Sequence, residues 1–483
     1  MRFLLFTFIF ILLCFLNCAK AEEFIQLPAV IHISSTASEG SYSFEEIAQT
    51  ADKAGFKVVI FTDRDVMRWE WGMPFLRNMV KRRVEQDSIF TFGIARYIEE
   101  INKLKDKYPG MVFIAGAESA PFYYWSGSFI KGTLTMHNWH RHLLLLGLES
   151  LQDYLNIPVI GNPPALRRSF VLYKLWPLAV IILGFWFLRK PQHQYRDFRG
   201  RSFPIFSKKL RLFGMLLIAG GILFFINNWP FGESLYDQYH GDRGMLPYQN
   251  LIDYLNSKGG SIFWTHPDAE YFDEIGTIKF ETKSYPECLK QAKDYTGFVV
   301  FYSGRNNITP SGVWDGILLE YCRGQRSSPV WVTGGLGFED GDLYHELKNL
   351  KTVLLVSRQD KDSVTQALRQ GRMYVAKGKR SYDFILDKFY VCDETRSARG
   401  FMGGTVKVKD LALLHIEAES LGLDQKVEVS VIKNGKVVKT SKVETPFLIS
   451  YFDRNIAQGK SYYRLEIKAE GLHLVTNPIF VKR

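Results

Sequence analysis

Four polar side chains stand where short apolar runs stop. His32 lies in the run Ala29–Ser34, Asp63 follows Lys57–Thr62, Glu118 ends Met111–Glu118, and His266 ends Ser261–His266. Imidazole and carboxylate are the groups that hold divalent metals and move protons. One such histidine alone is more often a packed or turn residue than a ligand, because most buried polar groups are simply hydrogen-bonded. The argument lies in the shared position, since the carboxyl ends of strands in a β/α barrel are where active sites are built.

Placing those ends together needs a sheet. From residue 28 the chain alternates β-rich runs with amphipathic stretches, Phe44–Ala54 and Tyr97–Lys107 reading as helices. This βαβαβ order implies parallel strands covered by helices. After residue 240 the pattern resumes, with helices expected over Tyr248–Ser257 and Asp362–Gln370 and strands over Gly316–Tyr321, Val330–Gly334 and Thr352–Val356. Beyond about residue 380 the helices stop. The runs Ala412–Ala418, Val427–Ile432, Lys436–Thr440, Phe447–Tyr451 and Tyr462–Ala469 predict an all-β sandwich over 380–483. Asn434-Gly435 marks a hairpin whose type I′ turn needs positive φ twice.

The chain has 483 residues and a formal charge of +11, which looks like a nucleic-acid footprint until it is located. Residues 189–211 hold eight basic side chains against the single acid Asp197, so no nucleic-acid partner is expected. That segment separates two apolar runs, 170–188 and 212–229, each near the length that crosses a bilayer. By the positive-inside rule the basic loop is cytoplasmic and the flanking parts of the chain lie outside. Arg2, the apolar Phe3–Leu16 and Ala19-Lys20-Ala21 have the form of a secretory signal peptide over 1–21, which gives the same orientation. Phe15 and Asn17 fit a lipidation site at Cys18 poorly. The expected location is the cell membrane, with the folded parts on the outer side. Gly214, Gly220 and Gly221 would let the two spans approach closely. Neither span carries an acid, which argues against a transporter or channel. Beyond the leader, Cys288, Cys322 and Cys392 show no CxxC spacing.

The motifs in order resemble a known family. Ile31-His32-Ile33-Ser34-Ser35 with the turn to Ser41, then Thr62-Asp63-Arg64-Asp65, then Gly116-Ala117-Glu118, then His142 before Leu143–Gly147, then Thr265-His266-Pro267 resemble the successive blocks of PHP-domain proteins, the polymerase and histidinol phosphatase-like superfamily. Thr352–Val356 and Ala367–Arg372 resemble the family's end, and with a sandwich appended the CehA/McbA-type branch is the one resembled. The resemblance implies an α/β fold: a distorted (β/α)7 barrel in two parts, 24–165 and 240–377, interrupted by the transmembrane hairpin. It also implies up to three metal ions that activate water for phosphoester hydrolysis. His32, Glu118, His142 and His266 are the implied metal ligands, and zinc, manganese or iron the ions that suit them. Of His137, His140 and His142, only His142 is carried over.

Departures from the pattern shape the expectation. The second histidine of the opening motif is Ser34, the histidine after Thr62-Asp63 is Arg64, and a late Asp-x-His falls on Leu336-Gly337-Phe338, with Glu339, Asp340, Asp342 and His345 nearby. One ion rather than three is therefore expected, around Glu118, His142 and His266 with His32 assisting. Arg64 and Asp63 are expected in the catalytic site, Arg64 replacing lost metal charge and pairing with Asp63, Asp65 or a substrate phosphate. Asp268 is expected to orient His266. The leading expectation is an exported, membrane-anchored, metal-dependent hydrolase of a small phosphorylated or ester substrate. The rival is a catalytically degenerate PHP fold kept as an envelope binding or assembly module, meeting a protein partner through the sandwich.

Overall fold

The computed structural model describes residues 24–196, 198–302, 307–393, 395 and 398–483. The signal peptide expected over 1–21 lies outside the described residues. The main sheet is built from β1 (Ile25–Ile33), β2 (Val58–Phe61), β3 (Val112–Ser119), β4 (Leu143–Leu146), β5 (Ser261–Trp264), β6 (Gly297–Val300), β7 (Trp331–Gly334), β8 (Leu350–Val356) and β9 (Met373–Lys377). Their spatial order is β7-β6-β5-β4-β3-β2-β1-β8-β9. β2, β4 and β6 are buried along their whole length, as their unbroken apolar sequences require, and so is β5, which opens on a buried Ser261.

The sheet is mixed, where the sequence pattern implied parallel strands. β1, β2 and β3 run parallel, as do β5, β6 and β7, but β4 runs against both β3 and β5, and β8 runs against β1 and β9. The reason lies between Ser119 and Leu143, where two short strands, Tyr124–Ser126 and Leu134–His137, replace a crossover helix. Without a crossover, the next strand in the sheet returns antiparallel. The two ends of this strand path are stitched by side chains. Asn477 accepts from Val332 N at 2.9 Å and donates to Val332 O at 3.0 Å, as a neighbouring strand would, and Thr352 Oγ1 accepts from Gly334 N at 2.9 Å.

Helices cover the outside where their apolar spacing allows. Phe44–Lys53 starts on a capping box formed by Ser43 and Glu46 and buries Phe44, Ile47, Ala48 and Ala51. Ile94–Lys107 buries Ile94, Tyr97, Ile101 and Leu104. The strand expected over Gly316–Tyr321 is instead part of a helix, Val313–Cys322, that buries Trp314, Ile317 and Leu318 at helical spacing. A short apolar run fits either period, and here the strand lies earlier, at β6.

At the other edge β9 pairs with Leu472–Thr476, so the sheet crosses residue 380 without a break and continues through Lys460–Ala469 and Lys426–Lys433 to Lys436–Glu444. A four-stranded sheet, centred on Phe384–Cys392 and Ala412–Ser420, shares a second core with these strands, including Leu414, Ile416, Val429, Leu465 and Ile467. Asn434 and Gly435 turn the hairpin with φ of 49° and 81°, as a type I′ turn requires.

Two helices, Trp176–Arg189 after a short 3-10 turn and Lys208–Asn228, are long and apolar enough to cross a membrane. They pack on each other through glycine. A Cβ on Gly184 would stand 2.8 Å from Gly214 O, and one on Gly214 would stand 2.7 Å from Gly184 O. Gly221 also lies at the contact, whereas Gly220 faces open space and takes no part. The basic connection forms an exposed hairpin of His193–Arg196 with Ser202–Ile205.

Candidate functional site

Local backbone geometry brings the strand-end residues together. The register of β1 on β2 shifts between Ile31 and Ile33, and His32 at the bulge has φ of 64°. His266, just past β5, has φ of 28°. A left-handed backbone at a non-glycine residue costs energy, and two such residues facing one carboxylate mark strain held for a purpose. Glu118 comes from β3, Arg64 from the residue bridged to it after β2, and His142 from the start of β4.

Glu118 is the centre. Its Oε1 lies 3.6 Å from His32 Nε2, 3.6 Å from His266 Nε2 and 3.0 Å from His142 Nδ1, and its Oε2 lies 3.2 Å from Arg64 Nη1. Despite those neighbours, Oε1 is fully buried and accepts no hydrogen bond. His142 Nε2 lies 3.0 Å from the carbonyl of Trp139 and 2.7 Å from Arg64 Nη1. His32 uses Nδ1 on Thr62 Oγ1 at 3.1 Å and leaves Nε2 toward Glu118. Burial lowers the pKa of His32 to about 4 and that of His142 to about 3, the nearby Glu118 only partly opposing it, so both imidazoles are neutral at neutral pH. Burial would raise Glu118, but the Arg64 guanidinium beside it holds it well below the usual carboxylate range. Burial opposes the Arg64 charge too, and Glu118 and Glu39 more than restore it.

His32, Glu118 and His266 offer three ligand atoms within 4.8 Å of one another. Two ligands each about 2.1 Å from a shared tetrahedral ion stand roughly 3.4 Å apart, close to the spacing here. A buried carboxylate oxygen that accepts no hydrogen bond, faced by two ring nitrogens, therefore fits a cation. His142 is brought to the same carboxylate, but its Nδ1 is met by Arg64 Nη1 at 2.5 Å. Where the sequence placed His142 in the primary ligand set and His32 beside it, the geometry groups His32 with Glu118 and His266 and sets His142 against the arginine.

Arg64 does not form the pairs expected of it. No ion pair joins it to Asp63 or Asp65 among the described residues; it pairs with Glu118, with Glu39 at 2.5 Å and, at 4.0 Å, with Glu339. Asp63 faces the turn after β1 instead, accepting from Ser35 N at 2.7 Å and from the hydroxyls of Ser35 and Ser38, and burial raises its pKa to about 6. Its part is to fold the Ser35–Gly40 turn that presents Glu39. Asp268 accepts from Asn307 Nδ2 at 2.5 Å and makes no hydrogen bond to His266; the His266 ring rests on Tyr302 with centroids 4.5 Å apart.

A cavity of about 440 Å³ opens onto this cluster, with Arg64, His142 and His266 at its floor and Trp69, Trp139 and Tyr271 in its walls. The aromatic walls and Glu39 escaped the sequence reading because they arrive on turns and on short hairpins at Arg68–Glu85 and Tyr271–Thr282 whose pairing no local pattern announces. Glu39 did stand inside the opening motif, without a role.

No family model and no curated protein matches the chain. Solved structures do. A two-domain protein from Bacteroides vulgatus containing a predicted PHP-like metal-dependent phosphoesterase matches with 9% identity and a TM-score of 0.35, over 92% of this chain and 90% of that one. A candidate metal-dependent phosphoesterase from Bifidobacterium adolescentis matches at 13% identity and a TM-score of 0.27, over 65% of this chain and 87% of that one. An amidohydrolase from Chromobacterium violaceum, solved with sulfate and no metal, matches at 13% identity and a TM-score of 0.26, over 64% of this chain and 87% of that one. Likeness this loose carries no argument about chemistry, which the site's own residues must supply.

Proposed function

We propose that the chain is an exported, membrane-anchored hydrolase of PHP type that cleaves a small phosphoester or related ester with one divalent ion. The observation that carries the reading is the buried Glu118 Oε1, with no hydrogen-bond donor and two ring nitrogens each 3.6 Å away. His32, Glu118 and His266 would hold the ion, zinc, manganese or iron by ligand type. When bound, such an ion lowers the pKa of a coordinated water and offsets charge growing on the ester's oxygens. Arg64 stands on the far side of the same carboxylate and against His142, where it supplies the fixed positive charge that a second ion would otherwise give. It lines the cavity and offers guanidinium hydrogens to an anionic substrate oxygen.

In this reading the mixed sheet is a distorted β/α barrel, the C-terminal strands are a sandwich built onto its edge, and the apolar helix pair spans the membrane with both folded parts outside. Elemental analysis of the detergent-purified protein tests it. About one equivalent of a transition metal is expected, falling to background in His32→Ala and His266→Ala. No retained metal after reloading with zinc, manganese and iron in turn overturns it. Arg64→His tests the stand-in charge: metal content is expected to rise above one equivalent, and an unchanged content refutes that role for the arginine.

A further inference from the structure

We infer that two loop tips, 73–80 and 127–133, seat in the lipid headgroup layer on the outer face of the bilayer, beside the outer end of the apolar helix pair. This rests on the membrane-spanning reading of that pair. The first tip joins the paired strands Arg68–Gly72 and Lys81–Glu85 and is bolted to the last turn of the helix Lys208–Asn228. Asn227 Oδ1 accepts from Asn78 N at 3.1 Å, Asn227 O accepts from Asn78 Nδ2 at 2.7 Å, and Asn227 Nδ2 donates to Phe75 O at 3.1 Å. The tip is therefore held at the level where the helix ends.

At that level its composition is that of an interface. Phe75 is 83% exposed with φ of 70°, a costly backbone for a bulky side chain that is turned outward. Met73, Met79 and Val80 are exposed beside it. The second tip is tied to the same hairpin by Phe129 stacked on Trp71, centroids 5.2 Å apart, and it raises Ile130, 96% exposed. Residues 73–83 and 127–133 contain Arg77, Lys81, Arg82, Arg83 and Lys131 and no acid. Lys81 and Arg83 are spent on Glu70, whereas Arg82 and Lys131 have no acidic partner among the described residues. Apolar tips flanked by unpaired cations suit a leaflet whose surface is lipid phosphate. Exposed Tyr173, Trp176 and Trp229 ring the same helix ends, as aromatic side chains do at a membrane boundary.

The test places a nitroxide label at Phe75→Cys, Ile130→Cys, Ile182→Cys or Leu423→Cys in the full chain, with Cys14, Cys18 and Cys322 replaced by alanine. The proteins are reconstituted in vesicles of phosphatidylethanolamine and phosphatidylglycerol, and collision with oxygen is compared with collision with a polar nickel chelate. Ile182 sits on the outward side of the first apolar helix and Leu423 on the far C-terminal surface. The oxygen-to-nickel ratio at 75 and 130 is expected to exceed that at 423 severalfold and to lie below that at 182, as a site at the headgroup level should. Water-like values at 75 and 130 with a lipid-like value at 182 overturn the inference and leave the anchor standing. A water-like value at 182 overturns the anchor, and the inference with it.

Discussion

Among the described residues two arginines are buried against carboxylates, and the two pairs are finished differently. At the junction between the main sheet and the C-terminal strands, Arg464 grips Asp315 through Nε at 2.9 Å and Nη2 at 2.8 Å. Tyr462 and the backbone of Ser311 donate to the same carboxylate, at 2.7 and 2.9 Å, so each oxygen has two donors. At the candidate site Arg64 meets Glu118 on one oxygen only, and the other is ringed by imidazoles yet accepts no hydrogen bond. A saturated carboxylate is a fastener; one with an idle oxygen is a socket. Burial and charge are alike in the two clusters, and what separates them is the count of donors on the carboxylate.

That contrast can be broken by removing one acid from each cluster. Asp315→Ala strips a fully buried arginine of its partner and is expected to cost roughly 3–5 kcal/mol, read from the denaturant midpoint. Glu118→Gln leaves Arg64 its contact with Glu39, so its stability cost is expected to be the smaller of the two, while bound metal falls to background. If Glu118→Gln costs as much stability as Asp315→Ala and metal content is unchanged, the two clusters are the same kind of object and the contrast fails.

Lys351 sharpens the comparison as a buried charge with no carboxylate bonded to it, donating to the carbonyls of Tyr382 and Phe384 at 2.9 Å each. Burial lowers its pKa to about 8, with Asp383 pulling the other way. The unfolded chain then binds the extra proton between pH 8 and about 10.5, so this residue's contribution makes stability rise with pH across that window. Unfolding at several alkaline pH values should show a component of up to roughly 3 kcal/mol that disappears in Lys351→Met. A slope identical in the variant would show that the lysine stays charged in the fold. The smallest effect belongs to the turn that packs on Asp315. Asn434 holds φ of 49° and accepts from Tyr462 N at 3.0 Å, so Asn434→Ala is expected to cost about 1–2 kcal/mol in the same denaturation assay, with metal content unchanged.

Much of this was legible in the sequence where a residue type answers to one physical demand. Asn434-Gly435 announced its turn because few residues tolerate positive φ, and the ordered motif blocks pointed to the residues that meet around Glu118. What escaped depends on partners far along the chain. Gly316–Tyr321 satisfies both periods, and only packing of Trp314, Ile317 and Leu318 on the sheet decides for a helix. Asp63 looked like a site residue because it stands at a strand end as Glu118 and His266 do, yet the serines at 35 and 38 claim its oxygens. The choice between His32 and His142 as third ligand turns on Arg64, whose guanidinium meets the His142 ring from 78 residues away, and sequence spacing says nothing of that.

The path of β1 has a consequence for how the chain is made. β1 leaves the ribosome early, yet its antiparallel neighbour is β8, with Ile25 opposite Val356. Everything between, including both apolar helices, must be synthesised before that edge is covered. Until then a strand with a row of unpaired amides waits in the open, the kind of edge that pairs with the wrong chain. His266 also comes after the helix pair, while His32, Arg64, Glu118 and His142 come before it. The cluster around Glu118 thus closes only when the second half of the chain has come back to the first, so on the proposed reading metal retention would report correct assembly as well as chemistry.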